Sequence, residues 1–312
     1  LEADGEIFWT YKHALTPSRM PKKLLVVGSG AIGIEFASFY NTLGADTTVI
    51  EVVDRILPAE DAEIAAFALK QFSKQGMKIL TNASVKKVER KKNSAHVEIV
   101  SEGKTKAEQF DTVISAVGIV GNIEGLGLEN LSIKTDKSHI KTDNNCNVGI
   151  DGIFAIGDVA GAPWLAHKAS HEGVMVAEII AGKHTHPVDP SSIAGCTYCH
   201  PQIASVGLTE EEANKKGLKV KIGRFPFIGN GKAIALGEQE GLIKTIFEAK
   251  TGELLGAHMV GAEVTELIQG YVLGQKLETT EEDLISTVFP HPTLSEMMHE
   301  SVLDAFGRAI HI

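Results

Sequence analysis

Short apolar runs alternate with longer helix-like segments in the first third of the chain. The runs have the length of buried strands, and the segments between them repeat apolar residues at helical spacing and end at a glycine. The predicted strands cover residues 23–28, 46–52, 77–83 and 111–118, and the predicted helices cover residues 31–44 and 61–75. Because strands that alternate with helices form parallel sheets, we expect this region to be α/β.

The pattern then changes twice. Residues 84–110 alternate polar and apolar positions around polar turns, which predicts an antiparallel excursion from the sheet. Residues 119–150 are rich in Gly, Asn and Asp and are typical of a linker, whereas 152–158 predict a buried strand and 166–182 a helix. From about residue 191 the pattern predicts a separate α+β domain. Its predicted strands lie within 196–209, 219–227 and 241–261, and its predicted helices cover 263–277, 280–287 and 294–306.

A glycine motif, Gly28-x-Gly30-x-x-Gly33, stands between the first predicted strand and the helix after it. The motif alone is weak, but in this context it is typical of dinucleotide binding. Gly28 would permit a tight turn, Gly30 would let a pyrophosphate approach the backbone, and Gly33 would let helix and strand pack closely. We therefore expect a Rossmann-like domain in residues 1–119; a glycine-rich turn without a ligand is the alternative. The expected cofactor contacts in this loop are Gly28, Gly30, Ile32 and Gly33.

Glu51 stands at the end of the second predicted strand, 23 residues after Gly28. An acid at about this spacing accepts hydrogen bonds from a ribose 2′-hydroxyl. Its charge would repel a 2′-phosphate, so the motif favours NAD over NADP. Arg55 lies nearby and could instead meet a phosphate, which leaves NADP as the alternative.

Composition and charge narrow the class of protein. The 312 residues are 43% hydrophobic and 22% charged, and the formal net charge of −10 argues against nucleic-acid binding. No apolar run is long enough to span a membrane. Three cysteines argue against a disulfide framework and fit a reducing compartment. The chain starts without methionine and without a signal-peptide pattern, so we expect it to be part of a longer or processed protein.

Asp158 closes the predicted strand 152–158 and is followed by small residues and a helix. An acid at the carboxyl end of a buried strand is well placed to hold the hydroxyl groups of a ligand. The alternative is that Asp158 caps a turn or the next helix, which aspartate does in many proteins.

His291 lies between Pro290 and Pro292, five residues before Glu296. Histidine exchanges a proton near neutral pH, and a carboxylate at its far ring nitrogen would fix the tautomer and stabilise the imidazolium. The same run also fits a helix start, because Thr293 and Glu296 have the spacing of a capping box. Both interpretations hold together if the capping turn presents Glu296 to His291.

Three motifs together resemble the flavin-dependent pyridine nucleotide–disulfide oxidoreductases. They are the glycine motif with Glu51, the run AIGDVAGAPWLAHKASHEG and the run PHPTLSE, which follow the family's order over essentially the whole chain. The resemblance is strongest to members that oxidise dihydrolipoyl groups through a disulfide and FAD and reduce NAD. It implies an NAD-binding domain (1–119), a central segment that contacts FAD (120–189) and an α+β interface domain for dimerisation (190–312).

The resemblance also implies roles for single residues. Asp158 would hold the ribitol of FAD. His291 would be the catalytic base, Glu296 would orient it, and the base would serve the redox disulfide of the partner subunit. The residues implied to line the flavin are Trp164, Leu165, Ala166 and His167, and those implied to contact NAD are Val85 and Gly118. The family often has arginine and proline after this last glycine, whereas this sequence has GIVGN, so no charged contact is expected from that loop.

The family further has a preceding FAD domain with its own glycine loop and a Cys-x4-Cys pair, and neither occurs in this sequence. We therefore expect the chain to correspond to the last two-thirds of such an enzyme and to be inactive alone. The implied partners are a second copy and the lipoyl-bearing acyltransferase subunits of 2-oxoacid dehydrogenase complexes, with no nucleic acid and no membrane. The implied location is the bacterial cytoplasm or the mitochondrial matrix.

Two other functions remain as alternatives: another disulfide reductase of the family, such as a glutathione or mercuric reductase, and a non-enzymatic module that binds NAD and dimerises. Glu51 argues against NADP-linked reductases.

Cys196 and Cys199 have redox-pair spacing, but they lie in a predicted strand, where residues three apart point to opposite faces. We expect no metal site, because these cysteines lack a second ligand pair and His167 with His171 lacks a metalloprotease glutamate.

Overall fold

The computed structural model describes residues 2–311, which form two compact units: residues 2–117 together with 194–311, and residues 118–193. The first unit opens with a region of eight strands and three helices. The strands are β1 (Phe8–Trp9), β2 (Lys23–Val27), β3 (Asp46–Ile50), β4 (Lys78–Leu80), β5 (Ala83–Arg90), β6 (Ala95–Ser101), β7 (Lys104–Phe110) and β8 (Thr112–Ser115), and the helices are α1 (Tyr11–Leu15), α2 (Ala31–Thr42) and α3 (Ala62–Lys74).

Five of these strands form a parallel sheet in the order β1-β8-β2-β3-β4. The central strand β2 is apolar throughout its middle, and Leu24, Leu25 and Val26 are fully buried, as expected for a sheet covered on both faces. The α/β prediction for this region is confirmed. The edge strand β1 was not predicted from the sequence, because it is two residues long and pairs with β8, about a hundred residues later.

The predicted antiparallel excursion is confirmed as a three-stranded sheet in the order β5-β6-β7. Val97 and Ile99 of β6 pack with Leu25 and Ile50 of the parallel sheet, so the excursion covers one of its faces. Helices α2 and α3 contribute to a separate core that includes Val26 and Val49. This layering leaves the carboxyl ends of β2 and β3 next to the start of α2, where the glycine motif lies.

The second unit contains strands β9 (Thr135–Asp136) and β10 (His139–Ile140) and helix α4 (Ala166–Ile180). The predicted strand 152–158 was wrong. Phe154 makes only an isolated bridge with Asn147, and Gly152 and Gly157 have positive φ angles of 74° and 69°, which interrupt an extended chain. Asp158 therefore lies in a 3₁₀ turn, Gly157–Ala160, and not at the end of a strand.

Residues 119–150 also proved to be more than the linker that their composition predicted. They contain the β9–β10 hairpin, and Ile140 and Val148 are buried in a small core with Ala155. The segment is therefore an integral part of the second unit, held by its own apolar contacts.

The remainder of the first unit is an α+β region, as predicted. Its strands form an antiparallel sheet in the order β11-β12-β15-β14-β13. The strands are β11 (Gly195–Thr197), β12 (Gln202–Gly207), β13 (Val220–Pro226), β14 (Leu242–Glu248) and β15 (Leu254–Gly261), and the helices are α5 (Glu210–Lys215), α6 (Gly231–Leu236), α7 (Val264–Lys276), α8 (Glu281–Ser286) and α9 (Glu296–Ala305).

Helix α9 lies against this sheet unusually closely. A β-carbon at Gly223 of β13 would stand 1.8 Å from the Ser301 carbonyl oxygen, so only glycine permits the contact. The Tyr271 hydroxyl donates to the Met298 carbonyl oxygen at 2.9 Å, and Met297 is fully buried. These contacts fix the beginning of α9, which follows the PHPTLSE run. Among residues 2–311, no helix is both long enough and apolar enough to cross a membrane.

Candidate functional site

The glycine loop has the geometry that its sequence predicted. Gly28 has a φ of +99°, and a β-carbon there would stand 2.6 Å from the Ala116 carbonyl oxygen. A β-carbon at Gly33 would stand 2.0 Å from the Gly28 carbonyl oxygen, so helix α2 can pack this close only with glycine. A β-carbon at Gly30 would meet nothing within 4 Å. Open space at Gly30, beside two crowded glycines, fits the cradle for a pyrophosphate that the motif predicts.

Gly30 is also the N-cap of α2 and offers no side-chain oxygen to the first turn. The amide groups at the start of the helix, together with its dipole, are therefore directed towards the space in front of the loop. Ile32, in the first turn, is 37% exposed.

Glu51 accepts three hydrogen bonds, two of which come from Ser29 of this loop. Its Oε2 accepts from the Ser29 amide at 2.9 Å and from the Ser29 hydroxyl at 2.6 Å, and its Oε1 accepts from the Val53 amide at 3.1 Å. Burial favours the neutral acid, but the hydrogen bonds from Ser29 and Val53 outweigh it and lower the pKa of Glu51. The carboxylate is thus ionised and fixed beside the loop. The role of Ser29 was not predicted from the sequence, because the motif leaves its position unspecified.

Arg55, the residue that could have bound the 2′-phosphate of NADP, forms an ion pair with Glu211. Its Nη2 lies 3.1 Å from Glu211 Oε2 and donates to the Pro58 carbonyl oxygen at 3.4 Å. An arginine held by a carboxylate is less available to a 2′-phosphate, so this contact favours NAD.

The other two predicted NAD contacts lie apart in the chain. Val85 is half-buried in β5, at a register shift between β5 and β6. Gly118 belongs to the second unit and has a φ of +71°, a conformation that favours glycine.

The turn that bears Asp158 is held from both ends by helix α4. Glu172 Oε2 accepts from the Gly157 amide at 2.8 Å, and Lys168 Nζ donates to the Gly161 carbonyl oxygen at 3.1 Å. Lys168 and Glu172 pair with each other at 3.0 Å, and both are buried. Asp158 itself is exposed, so its carboxylate can accept from ligand hydroxyls. The sequence analysis did not identify these contacts, although the i, i+4 spacing of Lys168 and Glu172 predicts an ion pair on one face of a helix.

The residues expected to line a flavin surround the start of α4. Leu165 is the N-cap and provides no side-chain oxygen, and Ala166 and His167 begin the helix. Trp164 is 36% exposed, and its Nε1 donates to His139 Nε2 at 3.1 Å. A helix start without a side-chain cap, an exposed indole and the nearby Asp158 suit a ligand with aromatic and polar parts.

His291 and Glu296 are in contact. His291 Nδ1 lies 2.9 Å from Glu296 Oε1, and the second oxygen, Oε2, accepts from the Thr293 amide at 2.9 Å. The helix proper begins at Glu296 with Ser295 as N-cap, two residues later than the capping-box interpretation placed it. Glu296 nevertheless serves both purposes that the sequence suggested: it closes the turn, and it reaches the histidine.

This geometry determines which nitrogen of His291 carries a proton. Burial favours the neutral acid of Glu296, but hydrogen bonds from Thr293 and His291 lower its pKa. An ionised carboxylate can only accept, so His291 Nδ1 must donate. In the neutral imidazole the lone pair is then on Nε2. Because the His291 side chain is 79% exposed, Nε2 is accessible as a proton acceptor.

The cysteines do not form a redox pair. Cys146, Cys196 and Cys199 are all free thiols. Cys196 lies in β11 and Cys199 beyond its end, where its thiol contacts the Pro201 carbonyl oxygen at 3.1 Å. Burial raises the pKa of both thiols and raises the pKa of Cys146 to about 11, so none has thiolate character at neutral pH. Within residues 2–311, no three histidine, cysteine or acidic side chains are grouped as a metal site.

Comparison with known proteins relates these features to a family. The sequence pattern of the pyridine nucleotide-disulphide oxidoreductases matches residues 3–173, and that of their dimerisation domain matches residues 193–302. A dihydrolipoyl dehydrogenase of Rhizobium etli is 59% identical over the whole of this chain, and one of Zymomonas mobilis is 56% identical. The chain spans 65% of the length of the first relative and 67% of the second.

Solved structures agree with this assignment. LpdA from Mycobacterium tuberculosis superposes with a TM-score of 0.89 at 26% identity, over 96% of this chain and 65% of that one. The flavoprotein disulfide reductase RclA from Escherichia coli gives a TM-score of 0.88 at 25% identity, over 96% and 68%. By the matches over both of its parts and the identity to these relatives, the chain belongs to the pyridine nucleotide-disulphide oxidoreductases.

Proposed function

We propose that the protein is a dihydrolipoyl dehydrogenase, which oxidises dihydrolipoyl groups through a redox disulfide and FAD and reduces NAD. The observation that supports this best is the exposed Nε2 of His291, which is left as the proton acceptor because Nδ1 donates to Glu296. The relatives that share 59% and 56% of its residues bear this name. Because the chain spans about two-thirds of their length, the proposed activity is that of the whole protein.

We assign one role to each of the three parts of the chain. Residues 1–119 bind NAD, residues 120–189 contact FAD, and residues 190–312 form the interface of a homodimer. When bound, the two cofactors supply hydride transfer, and the protein supplies binding, orientation and exclusion of side reactions. The NAD contacts are Gly28, Gly30, Ile32, Gly33, Glu51, Val85 and Gly118, and the FAD contacts are Asp158, Trp164, Leu165, Ala166 and His167.

The chemistry contributed by this chain is proton transfer. His291 Nε2 takes a proton from a thiol of the dihydrolipoyl group, because the thiolate is the reactive form towards a disulfide. Glu296 remains ionised and stabilises the resulting imidazolium. The disulfide belongs to the partner subunit. The dihydrolipoyl group is presented by acyltransferase subunits of a 2-oxoacid dehydrogenase complex, in the bacterial cytoplasm or the mitochondrial matrix.

The test is the NAD-dependent oxidation of dihydrolipoamide by the full-length protein, followed by NADH absorbance. His291→Gln should lower kcat by about 10²–10⁴-fold, the range for loss of a general base. Glu296→Gln should cause a smaller loss, since the base remains but is no longer oriented. Reduction of ferricyanide by NADH involves no thiol proton and should be retained in both variants.

Other outcomes would identify the alternatives. Turnover with NADPH and glutathione disulfide, but not with dihydrolipoamide, would indicate a different reductase of the family. NAD binding by a dimer that shows no flavin absorbance would indicate a binding and dimerisation module. An unchanged kcat in His291→Gln would contradict proton transfer through this histidine.

A further inference from the structure

The turn that presents His291 is closed by Thr293. The Thr293 hydroxyl donates to the Pro290 carbonyl oxygen at 2.7 Å and lies 2.7 Å from the Ser295 hydroxyl, while its amide donates to Glu296 at 2.9 Å. Thr293 therefore links the residue before His291 to Glu296, whose helix is held separately by its packing on the sheet. These contacts are local, and something outside the turn has to fix Thr293 itself relative to the sheet.

Asn230 provides that contact from a distant part of the chain. Its Nδ2 donates to the Thr293 carbonyl oxygen at 3.1 Å, across 63 residues of sequence. Its Oδ1 accepts from the Ala233 amide at 2.9 Å and so caps helix α6. The residue is 6% exposed, which means that both ends of the amide are used inside the protein. A buried side chain with both ends bonded has one orientation, which it passes on to its partners.

Asn230 is itself held rigidly. The backbone N–H of Asn230 donates to the Phe227 carbonyl oxygen at 3.0 Å, and Phe227 is fully buried. The Phe227 ring lies between Gly241 and Gly261: β-carbons there would stand 2.4 Å and 2.3 Å from ring atoms. The ring is thus wedged between the backbone just before β14 and that at the end of β15, and the support of Asn230 is the sheet itself.

We infer that Asn230 is a positioning residue for the His291–Glu296 pair and acts through the carbonyl group of Thr293. Its side-chain hydrogen bonds are with Thr293 and Ala233, not with His291 or Glu296. Its amide joins the rigid sheet to the turn that presents the base, and the accuracy with which Nε2 is placed depends on that link. The catalytic consequence of this inference rests on the proposed function, whereas the positioning itself is a property of the free protein.

Asn230→Asp separates the two roles of the amide. Aspartate keeps the oxygen that caps α6 and is an equally good N-cap, but it replaces the donor to Thr293 by a second acceptor. Asn230→Ser, also a good N-cap, is too short to reach Thr293 and serves as a second variant should aspartate impair folding. The matched control is Asn41→Asp, because Asn41 Nδ2 donates to the Gln75 carbonyl oxygen at 3.2 Å, away from this turn.

Crystal structures of the variants of the full-length protein test positioning without any turnover. In Asn230→Asp or Asn230→Ser the distance from His291 Nδ1 to Glu296 Oε1 should exceed about 3.5 Å, beyond hydrogen-bond range. In Asn41→Asp it should stay at 2.9 Å. A contact of 2.9 Å in both Asn230 variants would overturn the inference, whether or not the protein oxidises dihydrolipoamide.

Steady-state kinetics test the effect of Asn230 on catalysis. In Asn230→Asp the kcat for dihydrolipoamide oxidation should fall by about tenfold with little change in KM, since a small misplacement of a catalytic group affects the chemical step. NADH-dependent ferricyanide reduction should be unchanged. In a Glu296→Gln background the same substitution should cost less than about twofold, because residues that act through one another are not additive. Additive losses would contradict the inference, whereas a wild-type protein inactive with dihydrolipoamide would contradict only the proposed function.

Discussion

Lys244 Nζ lies 2.9 Å from Asp61 Oδ1, although Lys244 belongs to the antiparallel sheet and Asp61 caps helix α3 of the dinucleotide fold. Both side chains are 2% exposed. Lys244 also contacts Glu210 at 2.7 Å and Glu63 at 3.1 Å. Burial disfavours both charges, but their pairing outweighs it, so the pKa of Asp61 is lowered and that of Lys244 is raised. The proposed NAD-binding and interface domains are thus joined by an ionic cluster whose central pair, Lys244 and Asp61, is buried.

The first prediction concerns this cluster. Lys244→Met should lower the free energy of unfolding by about 3–5 kcal/mol, because it leaves the Asp61 carboxylate buried without its partner. Urea denaturation at neutral pH measures the loss. The control is Lys74→Met, which removes an exposed pair with Glu240 and should cost less than about 1 kcal/mol. Equal losses in the two variants would show that burial of the cluster is unimportant.

The second prediction concerns pH. Burial favours the neutral acid of Glu108, but ion pairs with Lys106, Lys23 and Lys78 lower its pKa to about 2, from 4.5. The stabilisation is therefore fully present above pH 4.5 and is lost as the pH falls through about 2. Glu108→Gln should cost about 1 kcal/mol at pH 7, given the exposure of the lysines, and almost nothing at about pH 2. Denaturation curves at several pH values measure this difference; a loss that is constant with pH would contradict the assignment.

Local sequence patterns predicted the elements and the loop that depend on neighbouring residues. The glycine motif and Glu51 were found because backbone geometry and spacing within one strand–helix–strand unit decide them. The pair of His291 and Glu296 was found for the same reason, since five residues separate them. The prediction of a strand at 152–158 failed because an apolar run has the same composition in a strand and in a glycine-broken turn, and only tertiary packing distinguishes them.

Long-range contacts explain what was missed. Lys244 and Asp61 are 183 residues apart, and a lone lysine in a strand is typical of a surface position until the partner is known. Asn230 in turn has the local sequence of an ordinary helix cap, and only its second bond, to Thr293, gives it a role near the histidine. Residues that support a site from a distance leave no local periodicity in the sequence.

The third prediction separates two glycines of one loop. Gly33→Ala should lower the free energy of unfolding by about 1–3 kcal/mol, because the new methyl group would overlap the Gly28 carbonyl oxygen. Gly30→Ala should cost less, at most about 1 kcal/mol, since the space is open, φ is −65° and only the N-cap preference for glycine over alanine is lost. It should nevertheless raise the Kd for NAD at least about tenfold, by filling the pyrophosphate cradle. Thermal unfolding and NAD titration measure the two effects; tight NAD binding by Gly30→Ala would place the dinucleotide elsewhere.

The last prediction concerns the choice between NAD and NADP. The Glu51 carboxylate is held ionised by Ser29 and Val53, and its charge opposes a 2′-phosphate. Glu51→Gln removes that charge and replaces one acceptor by a donor facing backbone amides, so NAD binding should weaken while NADP binding improves. The ratio of the Kd for NADP to the Kd for NAD should fall by about tenfold or more, the equivalent of about 1.4 kcal/mol. Glu240→Gln, which removes a carboxylate on the surface of the interface domain, should leave the ratio unchanged. If Glu51→Gln also left the ratio unchanged, the charge of Glu51 would not determine the choice between NAD and NADP.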